Sequence, residues 1–290
     1  MSTPSFVWRP DYPMEMRDRL VVGDALAVLQ RLPDASVPLF LFSPPYNLGT
    51  STGGGLHYYR GHYADGAPMT RRGGKDNGKS RWRGGDLANG YGDFDDALPH
   101  EVYVEQQEAV LSECWRLLTP TGAIFYNHKP RLQAGRMVFP VDYVPTPLRA
   151  YIRQEIIWAR AGGVNATPAA YMPMHERIVI IARPGWRLRD QSASAVGDVW
   201  SIAQESGSWH PAPMPLKLAL RVLETTAAPM VFDPFAGRGT TAKAAKLVGI
   251  HWGGCDRSAA YVERANREID ELQPLPLTGH RQDGLFAEAV

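Results

Sequence analysis

The sequence predicts an α/β fold, a doubly wound and mostly parallel sheet with helices on both faces. Three observations predict it. Short apolar runs bounded by turn residues recur along the chain, amphipathic stretches of helical length separate them, and no internal repeat interrupts the alternation. At 290 residues, with 44% hydrophobic and 21% charged content, the chain has the composition of a soluble globular protein, and a membrane-spanning or fibrous protein is excluded.

Strands are expected over Arg19 to Val22, Leu39 to Phe42, Ala123 to Asn127, Gln154 to Trp158, Arg177 to Ala182, Met230 to Phe232 and His251 to Gly254. Between them, Asp24 is placed to cap a helix over Ala25 to Leu32. Glu101 to Leu118 carries Val104, Val110, Leu111, Cys114 and Leu118 at helical spacing, and Thr119-Pro120-Thr121-Gly122 stops it. Leu216 to Thr225, Thr240 to Val248 and Ala259 to Leu272 complete the helices. Two regions break the rhythm. Gly49 to Gly92 holds 13 of the 28 glycines and almost no aliphatic run, and an insert of that length inside a compact domain is functional or disordered. Pro184 to Pro215, rich in Ser, Trp and Pro, reads as a connecting excursion, and the tail after Leu275 reads as loosely held.

The net charge of +1, from 31 basic and 30 acidic residues, conceals an uneven distribution. Arg60 to Arg83 contains seven basic residues and two acidic ones, a local +5, which leaves 24 basic and 28 acidic residues elsewhere, or −4. A basic segment on a mildly acidic body is the footprint of a polyanion-binding loop, although a merely solvated loop has the same composition. Cys114 and Cys255 are too few and too far apart for a disulfide framework or a metal knuckle, so both are expected in the core and no metal is expected. The first nineteen residues include Arg9, Asp11, Glu15, Arg17, Asp18 and Arg19 and lack a signal-peptide apolar stretch, so a cytoplasmic protein is expected.

Two segments carry chemistry. In Leu39 to Asn47 an apolar strand runs into Ser43-Pro44-Pro45-Tyr46. Adjacent prolines fix φ and remove two N–H groups, so the turn offers carbonyls in a rigid array without local donors. A stiff strand-ending turn with a packed tyrosine is the plainer alternative. In Met230 to Thr241, a strand, a glycine turn and a helix start follow one another. Gly237 and Gly239 let a ligand approach the backbone, and the helix amino terminus offers N–H groups to an anionic end. Nineteen residues after Gly237 the next apolar strand ends at Asp256, where a doubly wound fold places an acid against ribose hydroxyls. This order suits an adenosine-containing ligand. The turn lacks the third glycine of the dehydrogenase fingerprint.

With both segments in place, the chain resembles the amino-group DNA methyltransferases, which use S-adenosylmethionine and have a Rossmann-like fold. Asp233-Pro234-Phe235-Ala236-Gly237-Arg238-Gly239-Thr240-Thr241 is similar to their cofactor loop, and Ser43-Pro44-Pro45-Tyr46 to their catalytic loop. The catalytic segment precedes the cofactor segment, as in the circularly permuted β group. Asp198-Val199-Trp200, His210 to Pro215 with the helix after it, Gln154 to Trp158 and His175 to Ile181 also resemble family segments, and the resemblance covers roughly residues 19 to 272. It implies cofactor contacts from Asp24, Ala25, Asp233, Pro234, Phe235, Ala236, Gly237, Gly239, Thr240, Thr241, Asp256 and Lys217. It implies a catalytic set of Ser43, Pro44, Pro45 and Tyr46.

An exocyclic amino nitrogen delocalises its lone pair into the ring and attacks a sulfonium methyl poorly. Acceptors on both amino hydrogens, implied here as the Ser43 hydroxyl and the Pro44 carbonyl, favour positive charge on that nitrogen in the transition state. The resemblance implies that the target base is flipped out of the duplex and that Tyr46 stacks on it. Many family members carry Asp where Ser43 stands. Ser-Pro-Pro-Tyr is commonest among cytosine-N4 enzymes and occurs in some adenine-N6 enzymes, so cytosine N4 is the first reading and adenine N6 the second. A non-catalytic nucleic-acid binder of the same fold is a remote third.

Duplex DNA is the implied partner, with a cognate restriction endonuclease and a homodimer as further implied partners. Arg71, Arg72, Lys75, Lys79, Arg81 and Arg83 are the residues expected to bind DNA. His128 to Arg131 with Arg136 is a second candidate basic strip, and Arg160 to Met174 a second candidate target-facing loop. The resulting organisation is a single domain over 1–290. It comprises a catalytic strand and loop (19–48), the basic insert (49–98), the rest of the catalytic half (99–183), the excursion (184–209), the cofactor half (210–272) and a tail (273–290).

Overall fold

A computed structural model describes residues 6–47, 98–133, 136–160, 171, 174–205 and 214–274. The six expected DNA-binding residues of the insert, most of the segment after Arg160, and His210 to Pro213 lie outside the described residues. The strands are β1 (Arg19–Val22), β2 (Val37–Phe42), β3 (Leu118–His128), β4 (Arg131–Gln133), β5 (Arg136–Val138), β6 (Ile152–Ala159), β7 (His175–Ala182), β8 (Val199–Ser201), β9 (Met230–Asp233) and β10 (His251–Asp256). The helices are α1 (Ala25–Leu29), α2 (His100–Leu117), α3 (Thr146–Arg149), α4 (Gln191–Ser194), α5 (Leu216–Thr225), α6 (Thr240–Val248) and α7 (Ala259–Glu271).

Eight strands form one sheet in the order β1-β10-β9-β2-β3-β7-β6-β8, and β4 pairs with β5 in a separate hairpin. From β1 to β3 all pairings are parallel, and β7 is inserted antiparallel between β3 and β6. Side chains alternate between faces along each strand. Phe40, Phe42, Ile124, Tyr126 and Phe232 enter the core under α1 and α2. Leu39, Leu41, Ala123, Phe125 and Val231 enter the core under α5 and α6. Helices therefore cover both faces, as a parallel sheet buried on both sides requires. At edge strand β1, the Asn266 amide of α7 accepts from Leu20 N at 3.1 Å and donates to Leu20 O at 2.9 Å, satisfying backbone groups that have no next strand.

Every expected strand and long helix is present, with shifted ends. β3 begins at Leu118, directly where α2 stops, so Thr119 to Gly122 lie inside a strand. They occupy the irregular stretch where its pairing with β2 jumps from Leu118 to Ala123. The excursion after Pro184 contains α4 and β8. β8 is a three-residue edge strand, too short to show a period, and is held by the buried Trp200. Cys114 and Cys255 are both fully buried. Among the described residues no helix is long and apolar enough to cross a membrane.

At the centre, Phe232 of β9 pairs with Phe40 of β2, and their rings meet edge to face at 5.9 Å. Phe232→Ala is expected to lower unfolding free energy by about 3–5 kcal/mol, measured as a drop in the urea midpoint with an unchanged slope.

Candidate active site

Two chain directions diverge between β9 and β2. From β9 the chain proceeds through α6 to β10 on one side, and from β2 the sheet continues to β3 on the other. Such a switch point opens a crevice at the carboxyl ends of the strands. A cavity of about 620 Å³ lies there, lined by Asp24, Ala25, Ser43 to Tyr46, Asn127, Trp158, Glu176, Asp233 to Arg238, Thr240, Thr241, Asp256 and Tyr261 among others. That volume is in the range of small-molecule and cofactor sites.

In the cofactor half, the buried Asp233 shapes the turn. Its Oδ1 accepts from Phe235 N at 2.9 Å and its Oδ2 from the Thr241 hydroxyl at 2.7 Å. Gly237 adopts φ +49°, lines the cavity, and donates its N–H to Asp256 Oδ2 at 2.9 Å, while Asp256 Oδ1 accepts from Ser258 N. Asp24 caps α1 through Ala27 N and pairs with Arg257 at the cavity rim. Pro234, Phe235, Ala236, Thr240 and Thr241 also line the cavity.

Two residues expected at the cofactor lie outside this lining. Gly239 does not line the cavity. Its φ is +74°, and a Cβ there would meet Ile269, Leu20 and Ala265 at 3.1–3.2 Å, so glycine is required for a left-handed turn and for close packing of α6 near α7 and β1. Lys217 is exposed on α5 and absent from the cavity lining, where Met214, just before that helix, takes its place. The helix period carries Leu218, Ala219, Val222 and Leu223 inward and leaves Lys217 on the outer face.

In the catalytic half, the turn after β2 is braced from beneath. The Tyr103 hydroxyl lies 2.8 Å from the Pro45 carbonyl and 2.7 Å from His128 Nε2. His128 Nδ1 donates to the Lys129 carbonyl and burial pushes the imidazole down to about 3, which keeps it neutral, so Nε2 is an acceptor and shares the single Tyr103 hydroxyl hydrogen with the Pro45 carbonyl. Its ring backs that of Tyr46 at 4.5 Å. Arg131, buried and stacked over Tyr103, donates to the Asn47 carbonyl at 2.6 Å. Asn47, at φ +54°, clasps Leu98 with its side chain through two hydrogen bonds of 2.7 and 2.8 Å. The expected basic strip from His128 to Arg131 is thus an internal brace, and only Arg136 of that group is exposed. Among the described residues no hydrogen bond reaches the Pro44 carbonyl, whereas those of Pro45 and Asn47 are taken.

The sequence reading missed Asn127, Trp158 and Glu176, which line the same end of the cavity. A signal was present. Asn127 ends the expected third strand, and Glu176 stands at the head of an otherwise apolar run. Both are polar residues at strand ends, where doubly wound folds bind ligands. Among the described residues no cluster of three or more His, Cys, Asp or Glu could hold a metal ion.

The sequence profile of the DNA methylase family for N6 and N4 positions matches residues 37–267, most of the chain. The protein belongs to the N6/N4 DNA methylase family. As such it is a DNA methyltransferase that uses S-adenosylmethionine. This methylase is 23% identical over 307 residues to the type II methyltransferase M.BglII of Bacillus subtilis, covering 91% of this chain and 73% of the relative. Its fold resembles that of TTHA0409 from Thermus thermophilus, complexed with S-adenosyl-L-methionine, with a TM-score of 0.54 and 24% identity over 90% of this chain and 99% of that one. The cytosine-N4-specific PvuII DNA methyltransferase superposes with a TM-score of 0.60 at 14% identity, covering 89% of each chain.

Burial raises the Asp233 carboxyl of the methylase to about 7, against the two donors that favour its ionised form. The neutral form is accommodated because the Thr241 hydroxyl also faces the Leu41 carbonyl at 3.4 Å and can donate there instead. The folded protein then keeps a proton that the unfolded chain releases near 3.8. The associated stabilisation is full below that value and is lost as pH rises through about 7. Asp233→Asn is expected to flatten this fall, measured as urea midpoints across a pH series.

Proposed function

We propose that this methyltransferase modifies the exocyclic N4 of cytosine in duplex DNA, after flipping the base into the cavity, by direct in-line transfer. The observation that carries the reading is the pair of acceptors at the cavity wall. Ser43 and Pro44 line it, and among the described residues no hydrogen bond reaches the Pro44 carbonyl, whereas Tyr103 and Arg131 lie against the carbonyls of Pro45 and Asn47. Two acceptors on the amino hydrogens localise the nitrogen lone pair and stabilise the charge that develops there. Fixing them on a braced turn removes the reorganisation that flexible acceptors need. Tyr46, supported by His128, offers its ring for stacking on the flipped base, worth about 1–3 kcal/mol.

Bound S-adenosylmethionine supplies the electrophilic methyl group. Gly237 and the turn from Asp233 to Ala236 offer the close approach such a ligand needs, and the Asp256 carboxylate, which accepts from Gly237 N and Ser258 N, lines the cavity where ribose hydroxyls would lie. Asp24, Ala25, Thr240 and Thr241 complete the cofactor wall. As the N–CH3 bond forms, the S–CH3 bond breaks with its electron pair on sulfur, and the nitrogen gives up one proton.

Cytosine is preferred because Ser43 stands where many family members carry Asp, and because PvuII methyltransferase, specific for cytosine N4, has the same fold. Adenine N6 is the alternative within the family. The order of catalytic β2 before cofactor β9 fits the permuted β group. The insert at 49–98, with Arg71, Arg72, Lys75, Lys79, Arg81 and Arg83, is the proposed DNA contact. Its flanks meet at the Asn47–Leu98 clasp, beside the catalytic turn. The likeness to a bacterial type II methyltransferase supports a cognate endonuclease as partner and a cytoplasmic setting, and a homodimer is proposed on the family resemblance alone.

Incubation with unmodified genomic DNA and methyl-labelled cofactor, followed by mass spectrometry of nucleosides, is expected to yield N4-methylcytosine. N6-methyladenine would select the alternative, and unlabelled DNA would overturn both. Ser43→Ala is expected to lower turnover by about tenfold to a thousandfold while cofactor affinity by calorimetry stays unchanged. Reversing the charges of Arg71, Arg72, Lys79 and Arg81 together is expected to abolish DNA retention in a gel-shift assay and leave cofactor binding intact.

A further inference from the structure

Behind the catalytic turn lies a polar cluster contributed by the two neighbouring strands. Asn127, at the end of β3, is 1% exposed, and Glu176, near the start of β7, is 5% exposed. The Asn127 Nδ2 lies 2.9 Å from Ser43 Oγ, 2.8 Å from the Tyr46 hydroxyl and 2.9 Å from Glu176 Oε2. The Tyr46 hydroxyl donates to Glu176 Oε2 at 2.8 Å, and Arg160 pairs with Glu176 Oε1 at 3.2 Å. Strand alternation explains the meeting. Asn127 pairs with Ile178, two residues from Glu176, and Phe42 pairs with Tyr126, so Ser43 follows on the side of Asn127.

We propose that Asn127 and Glu176 are positioning residues of the methyl transfer, coupling the acceptor Ser43 to the stacking ring of Tyr46. This rests on the amino-group methyltransferase reading above. An ionised carboxylate only accepts, so Glu176 requires the nitrogen of the Asn127 amide, not its oxygen, to face the cluster. That nitrogen has two hydrogens for three oxygens. One serves the Glu176 and Tyr46 side, and the other holds Ser43 Oγ from behind. With one Ser43 lone pair taken there, the remaining lone pair and the hydroxyl hydrogen are directed away from the amide, where an incoming amino hydrogen can be accepted. The arrangement leaves Asn127 Oδ1 buried without a hydrogen-bond partner. The amide is thus oriented by its three oxygen partners at the cost of its own acceptor. Glu176 ties the same amide to Tyr46, so base stacking and amino-group capture share one support.

The test compares wild type with Glu176→Gln, Asn127→Ala and the double variant under single-turnover conditions on unmodified DNA, with calorimetric cofactor Kd and melting temperature measured alongside. Each single variant is expected to lower the transfer rate by about tenfold or more, with cofactor Kd within about twofold, and the rates are compared below the melting temperature of each variant because the loss of buried partners lowers it. The double variant is expected to be little slower than the worse single one, because both changes disable one unit. Glu176→Gln keeps the side chain's size and carries the test alone if Asn127→Ala does not fold. Transfer at the wild-type rate, or losses of rate that multiply in the double variant, would overturn the positioning role. A wild-type protein that leaves DNA amino groups unlabelled overturns the parent reading first and takes this inference with it.

Discussion

The site depends on one adjacency, that of β2 and β9 at the middle of the sheet. The two strands come from opposite parts of the chain, and a single registered pair, Phe40 with Phe232, brings them together. Because both run parallel, the turns that leave them open on the same edge. One turn is apolar backbone with a carbonyl left for a ligand, and the other is a glycine turn that lets a ligand approach the backbone closely. A methyl donor and a methyl acceptor need such contrasting walls facing each other across one cavity, and sheet geometry provides this before any individual contact is considered.

Rigidity is supplied from the side of the catalytic turn away from the cavity. Tyr103, His128 and Arg131 form a buried aromatic and cationic brace whose polar atoms are directed at the carbonyls of Pro45 and Asn47. Burial keeps His128 neutral, so the brace carries the one positive charge of Arg131, which lies over the Tyr103 ring. The turn is therefore fixed by groups that do not compete for its reactive face. The cofactor turn is built differently, by two aspartates that accept its own backbone and hydroxyl hydrogens. Acceptors are left over on one side and donors are consumed on the other.

Much of this was legible in the sequence because the strongest signals are local. Pro-Pro restricts its own backbone, and the glycine turn between strand and helix declares itself by spacing, so the cavity lining at Ser43 to Tyr46, Asp233 to Gly237, Thr240 and Thr241 was readable without tertiary information. What was missed depends on contacts between distant segments. Nothing local separates a glycine that admits a ligand from one that admits Ile269 and Ala265, so the packing role of Gly239 was not legible. Lys217 was placed by likeness, while its helical phase directed it outward. His128 and Arg131 looked like surface cations because their burial is created by α2 and the Tyr143 region. Asn127 and Glu176 acquire meaning only when β3 and β7 are paired antiparallel.

The Asn47–Leu98 clasp has an evolutionary consequence. A chain segment whose two ends are already pinned a few ångströms apart can change length at a closure cost of only about 0.6 kcal/mol per doubling. Material between residues 47 and 98 can then be lengthened, shortened or exchanged without transmitting strain to the acceptor turn next to it. If the proposed DNA contact resides there, new sequence preferences can be tried while the geometry of the turn beside it is inherited unchanged.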